Sequence, residues 1–182
     1  MTLLSLAQTQ ALPGFLELGQ AAVASLLEGR DSSPAMRARQ LERWIIHGRA
    51  TNFSQMSDLP AGLRQELPKF LVPITSTVAK RSIASDGTRK LLVRLADGQS
   101  VETVLMLEDD RRTVCISTQV GCGMGCTFCA SGLSGVARNL KAYEILEQLL
   151  LARNELPEAE RLTHIVDRKS TRLNSSHIPL SR

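Results

Sequence analysis

The sequence predicts an α/β protein in three parts. A small helical N-terminal domain spans residues 1–72, a β-rich connector 73–112, and the start of a partial (β/α) barrel 113–166. Three observations predict this order. Apolar residues recur at helical spacing through residue 67 and change to strand-like alternation from Ile74. Two Asp-Gly turn signals, Asp86-Gly87 and Asp97-Gly98, separate short β-rich runs. From Thr113 the order is strand, cysteine-bearing loop, helix, strand, which opens a β/α series.

Each element has a local cause. Residues 15–27 read as an amphipathic helix. Ser33 is a cap and Pro34 a first helical residue, so a helix runs over 35–46 with Leu41, Trp44 and Ile45 on one core face. Phe53, Met56 and Leu59 lead to Pro60 and a short helix over 61–67, and Pro68 and Pro73 mark the exit. In the connector, residues 74–78 are β-rich, and strands over 90–95 and 101–106 flank Asp97-Gly98. A strand over 113–117 feeds the cysteine loop. A helix over 141–153 follows, with Ile145, Leu146, Leu149 and Leu150 as its buried stripe, and residues 162–166 open the next strand. A whole barrel of this kind takes about 250 residues, so residues 113–166 supply only its opening.

Composition narrows the class. The apolar fraction of 43% is that of a globular protein. No apolar stretch is long enough for a bilayer, and the first residues lack a basic n-region, so no membrane association and a cytoplasmic location are expected. Residues 167–182 read DRKSTRLNSSHIPLSR, unlike anything before them. They match the translation of a widely used sequencing-adapter DNA and are expected to be an artefact tail, with the gene product cut short at Val166. The formal net charge of +4 owes most of its excess to that tail: without it 18 basic and 17 acidic residues remain. The basic balance therefore says nothing about nucleic acid.

The chemistry sits in the run Val120-Gly121-Cys122-Gly123-Met124-Gly125-Cys126-Thr127-Phe128-Cys129, a C-x3-C-x2-C arrangement. Three thiolates within eight residues ask for a metal. Three rather than four point to an iron–sulfur cluster with one iron left open, because closed clusters and structural zinc take four protein ligands. Gly121, Gly123, Gly125 and Gly132 let the backbone approach the inorganic core, and Phe128 can shield it. The rival reading is zinc completed by Cys115 or His164.

C-x3-C-x2-C with an aromatic before the third cysteine resembles the signature of radical S-adenosylmethionine (SAM) enzymes. Asp97-Gly98, Val101-Glu102-Thr103-Val104, Cys115-Ile116-Ser117-Thr118-Gln119-Val120-Gly121-Cys122 and Arg138-Asn139-Leu140 narrow it. Together they resemble the radical-SAM ribosomal RNA adenine-C2 methyltransferases over roughly residues 37–166. The resemblance implies that Cys122, Cys126 and Cys129 hold a [4Fe–4S] cluster whose open iron chelates SAM for reductive cleavage. It implies that Glu102 is a proton acceptor, and that Cys115 pairs transiently with a methyl-carrying cysteine of the family's C-terminal half, releasing product by that disulfide. It also implies 23S ribosomal RNA, and transfer RNA besides, as substrates, an electron donor such as a flavodoxin, and a monomer at full length. The N-terminal helical domain would be the RNA-recognition part.

The sequence departs from the family after Val166. The family's Gly-Met-Gly-Glu-Pro segment, which holds the SAM amino group, should begin there, and Asp167 onward stands in its place. The chain as written is therefore expected to be inactive by itself. Two alternatives stay open: the related C8-adenine methyltransferases that confer antibiotic resistance, and a non-catalytic metal-stabilised RNA-binding module with zinc. Arg111-Arg112 reads either as an RNA-phosphate contact or as a solvated turn. Gln119 and Asn139 sit at family positions with no assigned role.

Overall fold

A computed structural model describes residues 11–123 and 135–169. The chain divides into two compact units between Thr75 and Ser76.

The first unit is helical. Helix α1 (Phe15–Leu27) has the expected bounds, but Gly19 interrupts it with φ +79° and ψ 166°. Only glycine adopts that backbone cheaply, so the helix is kinked after its first turn. Helix α2 (Pro34–Ile46) starts at Ser33 with Pro34 in its first turn. The Ser33 hydroxyl makes no capping bond. Asp31 does the local work instead: its carboxylate accepts the Ser33 N–H at 2.8 Å and pairs with Arg37 at 3.2 Å. Helix α3 (Ala61–Glu66) continues into a 3-10 turn, Leu67–Lys69. Phe15, Val23, Leu27, Leu41, Ile45, Phe53, Met56, Leu59, Leu67 and Leu71 form the core. Trp44 departs from expectation. It is half-buried, and its indole N–H donates to Asp58, so its polar tip stays at the surface.

The second unit is a five-stranded sheet with a separate two-stranded pairing and one helix. Its strands are β1 (Thr77–Ile83), β2 (Arg89–Arg94), β3 (Ser100–Leu107), β4 (Arg112–Ser117) and β7 (His164–Lys169). The first three pairings are antiparallel and β4 with β7 is parallel. Gly87 and Gly98 take φ of +83° and +84°, so both Asp-Gly signals are the tight turns they announce. Asp86 and Asp97 each accept the N–H two residues on, from Thr88 at 2.9 Å and Gln99 at 3.0 Å. The first strand begins at Thr77, three residues later than Ile74. Strand β7 runs across Val166 through Asp167 to Lys169.

Between β4 and β7 lie β5 (Gln119–Gly121), β6 (Val136–Asn139) and α4 (Ala142–Asn154). One sheet face carries Leu91, Val93, Val101, Val114 and Ile116, packed with Leu140 and Ala152, and with Ile145 and Leu149 partly buried against them. The expected α4 stripe is corrected at one position: Leu146 is 45% exposed, while Glu144, Glu147 and Gln148 are buried. The cause is unmet backbone polarity. The β4–β7 register shifts between Ile116 and Ser117. Gln148 completes the strand there: its Oε1 accepts the Ser117 N–H and its Nε2 donates to the Ser117 carbonyl, both at 2.9 Å. The same Oε1 accepts from the Thr103 hydroxyl at 2.9 Å. Glu147 accepts the Ser76 N–H at 2.8 Å and its hydroxyl at 2.5 Å. Buried backbone groups need partners, and here a helix supplies them with side chains.

Candidate active site

The cysteine loop leaves the sheet after the C-terminal end of β4, where β/α folds place their ligands. Its neck is the β5–β6 hairpin. Gln119 faces Asn139 and Val120 faces Arg138. The Gln119 amide donates to Asn139 Oδ1 at 2.8 Å, and the Leu140 N–H donates to the Thr118 carbonyl at 2.8 Å. These bonds give Gln119 and Asn139 a place: they close the loop at its base. One step further, the Cys122 N–H donates to the Gly135 carbonyl at 3.0 Å. That approach requires glycine at position 121. Gly121 takes φ +81°, and a Cβ there would sit 2.0 Å from the Gly135 oxygen. The neck thus fixes Cys122, a half-buried free thiol, at the entrance to residues 124–134. Cys126 and Cys129 lie outside the described residues.

Arg138 ties this neck to the rest of the unit, which sequence reading did not foresee. Its guanidinium pairs bidentately with Glu144 of α4 at 2.8 and 2.7 Å. It also reaches Asp97, in the β2–β3 turn, at 2.7 Å. Glu144 in turn accepts the Lys141 N–H at 2.7 Å, capping α4. Burial opposes ionisation of Glu144, but the Arg138 pairing and the Lys141 N–H outweigh it and hold its carboxyl below the usual range. Asp97 follows the same pattern: burial raises its pKa, and the Gln99 N–H and Arg138 more than offset that. The sequence signals were Arg138-Asn139-Leu140 and Asp97-Gly98, but neither names the other as its partner.

Glu102 and Cys115 share the sheet face opposite α4. Cross-strand register makes this explicit. Leu92 pairs with Glu102, and Val104 pairs with Cys115. Two residues along a strand share a face, so Glu102 and Cys115 stand in neighbouring cross-strand rows. Glu102 is half-buried, with Oε1 3.3 Å from Lys90 Nζ and Oε2 2.8 Å from an Arg168 nitrogen. Lys90 lies on β2 and Arg168 on β7, so Glu102 is held from both flanks of the sheet. The Glu102 carbonyl accepts the Ser117 hydroxyl at 2.8 Å, which fixes β3 against the end of β4. Cys115 is a half-buried free thiol whose pKa burial pushes up, so it is protonated near neutral pH. Arg112 is structural: it pairs with Glu160, and its guanidinium donates to the Glu108 carbonyl. His164 is exposed and bonded to the Thr163 hydroxyl at 2.9 Å. Among the described residues, no group of three or more His, Cys, Asp or Glu side chains is placed to hold a metal ion.

Known proteins resemble this chain in fold and sequence. A crystal structure titled as a radical SAM methyltransferase from Sphaerobacter thermophilus superposes with a TM-score of 0.73 at 38% identity, covering 85% of this chain and 47% of that one. Fold and cysteine loop together define the class as a radical SAM methyltransferase. Residues 15–72 match the family model described as the ribosomal RNA large subunit methyltransferase N-terminal domain. A probable dual-specificity RNA methyltransferase RlmN of Rhodopirellula baltica is 55% identical over 130 residues, 71% of this chain and 35% of the relative. The dual-specificity RNA methyltransferase RlmN of Magnetococcus marinus is 43% identical over 150 residues, 82% of this chain and 42% of the relative. That of Halorhodospira halophila is 49% identical over 130 residues, 71% and 36% respectively. The chain belongs to the RlmN family of RNA methyltransferases, an enzyme family, and spans between a third and a half of the length of these curated relatives.

Proposed function

We propose that this chain carries the cluster-binding and proton-accepting part of an enzyme that methylates C2 of an adenine in 23S ribosomal RNA, and in transfer RNA as well. The observation that carries this reading is the neck of the cysteine loop. Gly121, Gly135 and the β5–β6 pairing hold Cys122 directly after β5, in a sequence run that brings two further thiolates within seven residues. This donor set fits a [4Fe–4S] cluster with Cys122, Cys126 and Cys129 as its ligands. When bound, the cluster and SAM supply radical chemistry to the site.

The chain's own residues then have separate duties. Glu102 accepts the proton that leaves C2 of the methylated adenine, and Lys90 stands beside it at 3.3 Å. Cys115, one row away, stays a thiol until a second cysteine of the full-length enzyme is presented to it. The helical unit contacts the RNA. An electron donor of the flavodoxin kind reduces the cluster, the full-length enzyme is a monomer, and a reducing cytoplasm suits three clustered thiols. No described helix is long and apolar enough to cross a membrane.

The test is anaerobic reconstitution of the full-length protein with iron and sulfide, followed by an optical spectrum. An iron–sulfur charge-transfer band that Cys126→Ala abolishes is the expected result. Zinc bound by four ligands, with no such band, would replace this reading with the RNA-binding module. Mass spectrometry of treated RNA separates C2 from C8 methylation.

A further inference from the structure

The open sheet face does not end at Glu102. Register extends its two rows outward to the edge strand: Lys80 pairs with Leu92 and Leu92 with Glu102, while Ser82 pairs with Lys90 and Lys90 with Val104. Lys80, Ser82, Lys90, Leu92 and Glu102 line one cleft of about 210 Å³. Lys80 and Ser82 line it from the edge strand, and Lys90 lines it beside the Glu102 carboxylate. Neighbouring strands lie about 4.8 Å apart, so β1 stands roughly 10 Å from Glu102. The Glu102 charge is met by Lys90 at 3.3 Å, which leaves Lys80 as surplus positive charge. Among the described residues the Lys80 side chain has neither a hydrogen-bond nor an ion-pair partner. The contrast with the next residue is informative: Arg81 points to the other face and is paired with Glu155 at 2.8 Å.

We infer that Lys80, Ser82 and Lys90 form a phosphate cradle for the RNA substrate. It holds the backbone beside the nucleotide whose base reaches Glu102. This rests on the reading of Glu102 as the proton acceptor on the substrate face. The chemistry fits a phosphodiester: two flexible ammonium donors and a hydroxyl satisfy phosphate oxygens, and Leu92 packs the ribose or base edge between them and Glu102. Lys90 links both functions, since it faces the carboxylate on one side and the cradle on the other.

The experiment measures binding of a short fluorescein-labelled single-stranded RNA to the full-length protein by anisotropy across a salt series. Lys80→Gln is expected to weaken binding about fivefold at low salt and to lower the salt slope by about 0.7, the share of one phosphate contact on a single strand. Lys80→Arg retains the slope. Arg81→Gln removes the same charge from the opposite face and leaves binding and slope unchanged. A neutral methylphosphonate backbone abolishes the difference between wild type and Lys80→Gln. Equal losses for Lys80→Gln and Arg81→Gln, or no loss for Lys80→Gln, would overturn the cradle. The iron–sulfur band of the same preparations reads the enzyme assignment separately. A cradle failure with the band intact leaves that assignment standing, and loss of the band in wild type fails the assignment itself.

Discussion

The two faces of the five-stranded sheet are built from alternate residues of the same strands, yet they do different work. On the face under α4, Leu91, Val93, Val101, Leu105 and Val114 are buried, and the polar residues among them are satisfied by Gln148. On the other face, Glu102 and Cys115 are only half-buried, and Lys80 and Lys90 are exposed. The strand period of two separates the buried face from the open one at single-residue resolution. Substitutions should therefore divide cleanly by face.

The largest effect is expected on the covered face. Gln148→Leu strands the Ser117 N–H and carbonyl and the Thr103 hydroxyl in a buried site. Each unsatisfied group costs about 1–3 kcal/mol, so a loss of about 3 kcal/mol is expected by urea denaturation; a loss no larger than that of a surface mutation would break the contrast. Next is Gly121→Ala at the loop neck, where a Cβ would meet the Gly135 oxygen at 2.0 Å and φ is positive. The local cost is about 2 kcal/mol. Its sharper readout is poor iron–sulfur incorporation on reconstitution with the sheet still folded.

Acid should loosen the same neck. Folded Glu144 and Asp97 both titrate below their ordinary values. Their contribution is present above the unfolded carboxylate pKa values of about 4, and is lost as pH falls from there through the depressed folded ones. Arg138→Gln removes the guanidinium that holds both, so its stability curve should be flatter between neutral pH and pH of about 3. An unchanged acid limb in Arg138→Gln would dissociate the clasp from stability. The smallest effect on stability belongs to the open face. Glu102→Gln loses a partly exposed pair with Lys90 worth less than about 1 kcal/mol. The melting temperature should barely move, while methyl transfer by the full-length enzyme is lost. A large drop in melting temperature would make Glu102 structural.

Local signals were strong wherever one or two residues dictate the backbone. Asp86-Gly87 and Asp97-Gly98 specified their hairpins because a tight turn needs positive φ at the glycine. Ser33-Pro34 marked the start of α2, though Asp31 rather than the Ser33 hydroxyl makes the bonds. Helix α4 was legible as an element, but not in its facing. Leucine spacing puts Leu146 inward, whereas the helix turns Gln148 and Glu147 toward the sheet to meet backbone groups that no pattern of apolar residues reveals. The kink at Gly19 was hidden for a similar reason, since the apolar periodicity continues through it.

By itself the sequence determined the class of element in each segment, the spacing of the three clustered cysteines, and the motifs that tie the chain to its family. These depend on neighbours along the chain, through turn sterics, side-chain period and ligand reach. Only the tertiary structure decided which residues meet across it. It placed Glu102, Cys115, Lys80 and Lys90 on one face, closed the cysteine loop through Gly121 and Gly135, and joined Arg138 to Asp97 and Glu144. Those meetings follow from strand register and from the need to satisfy buried polar groups, and both are settled only when distant segments pack.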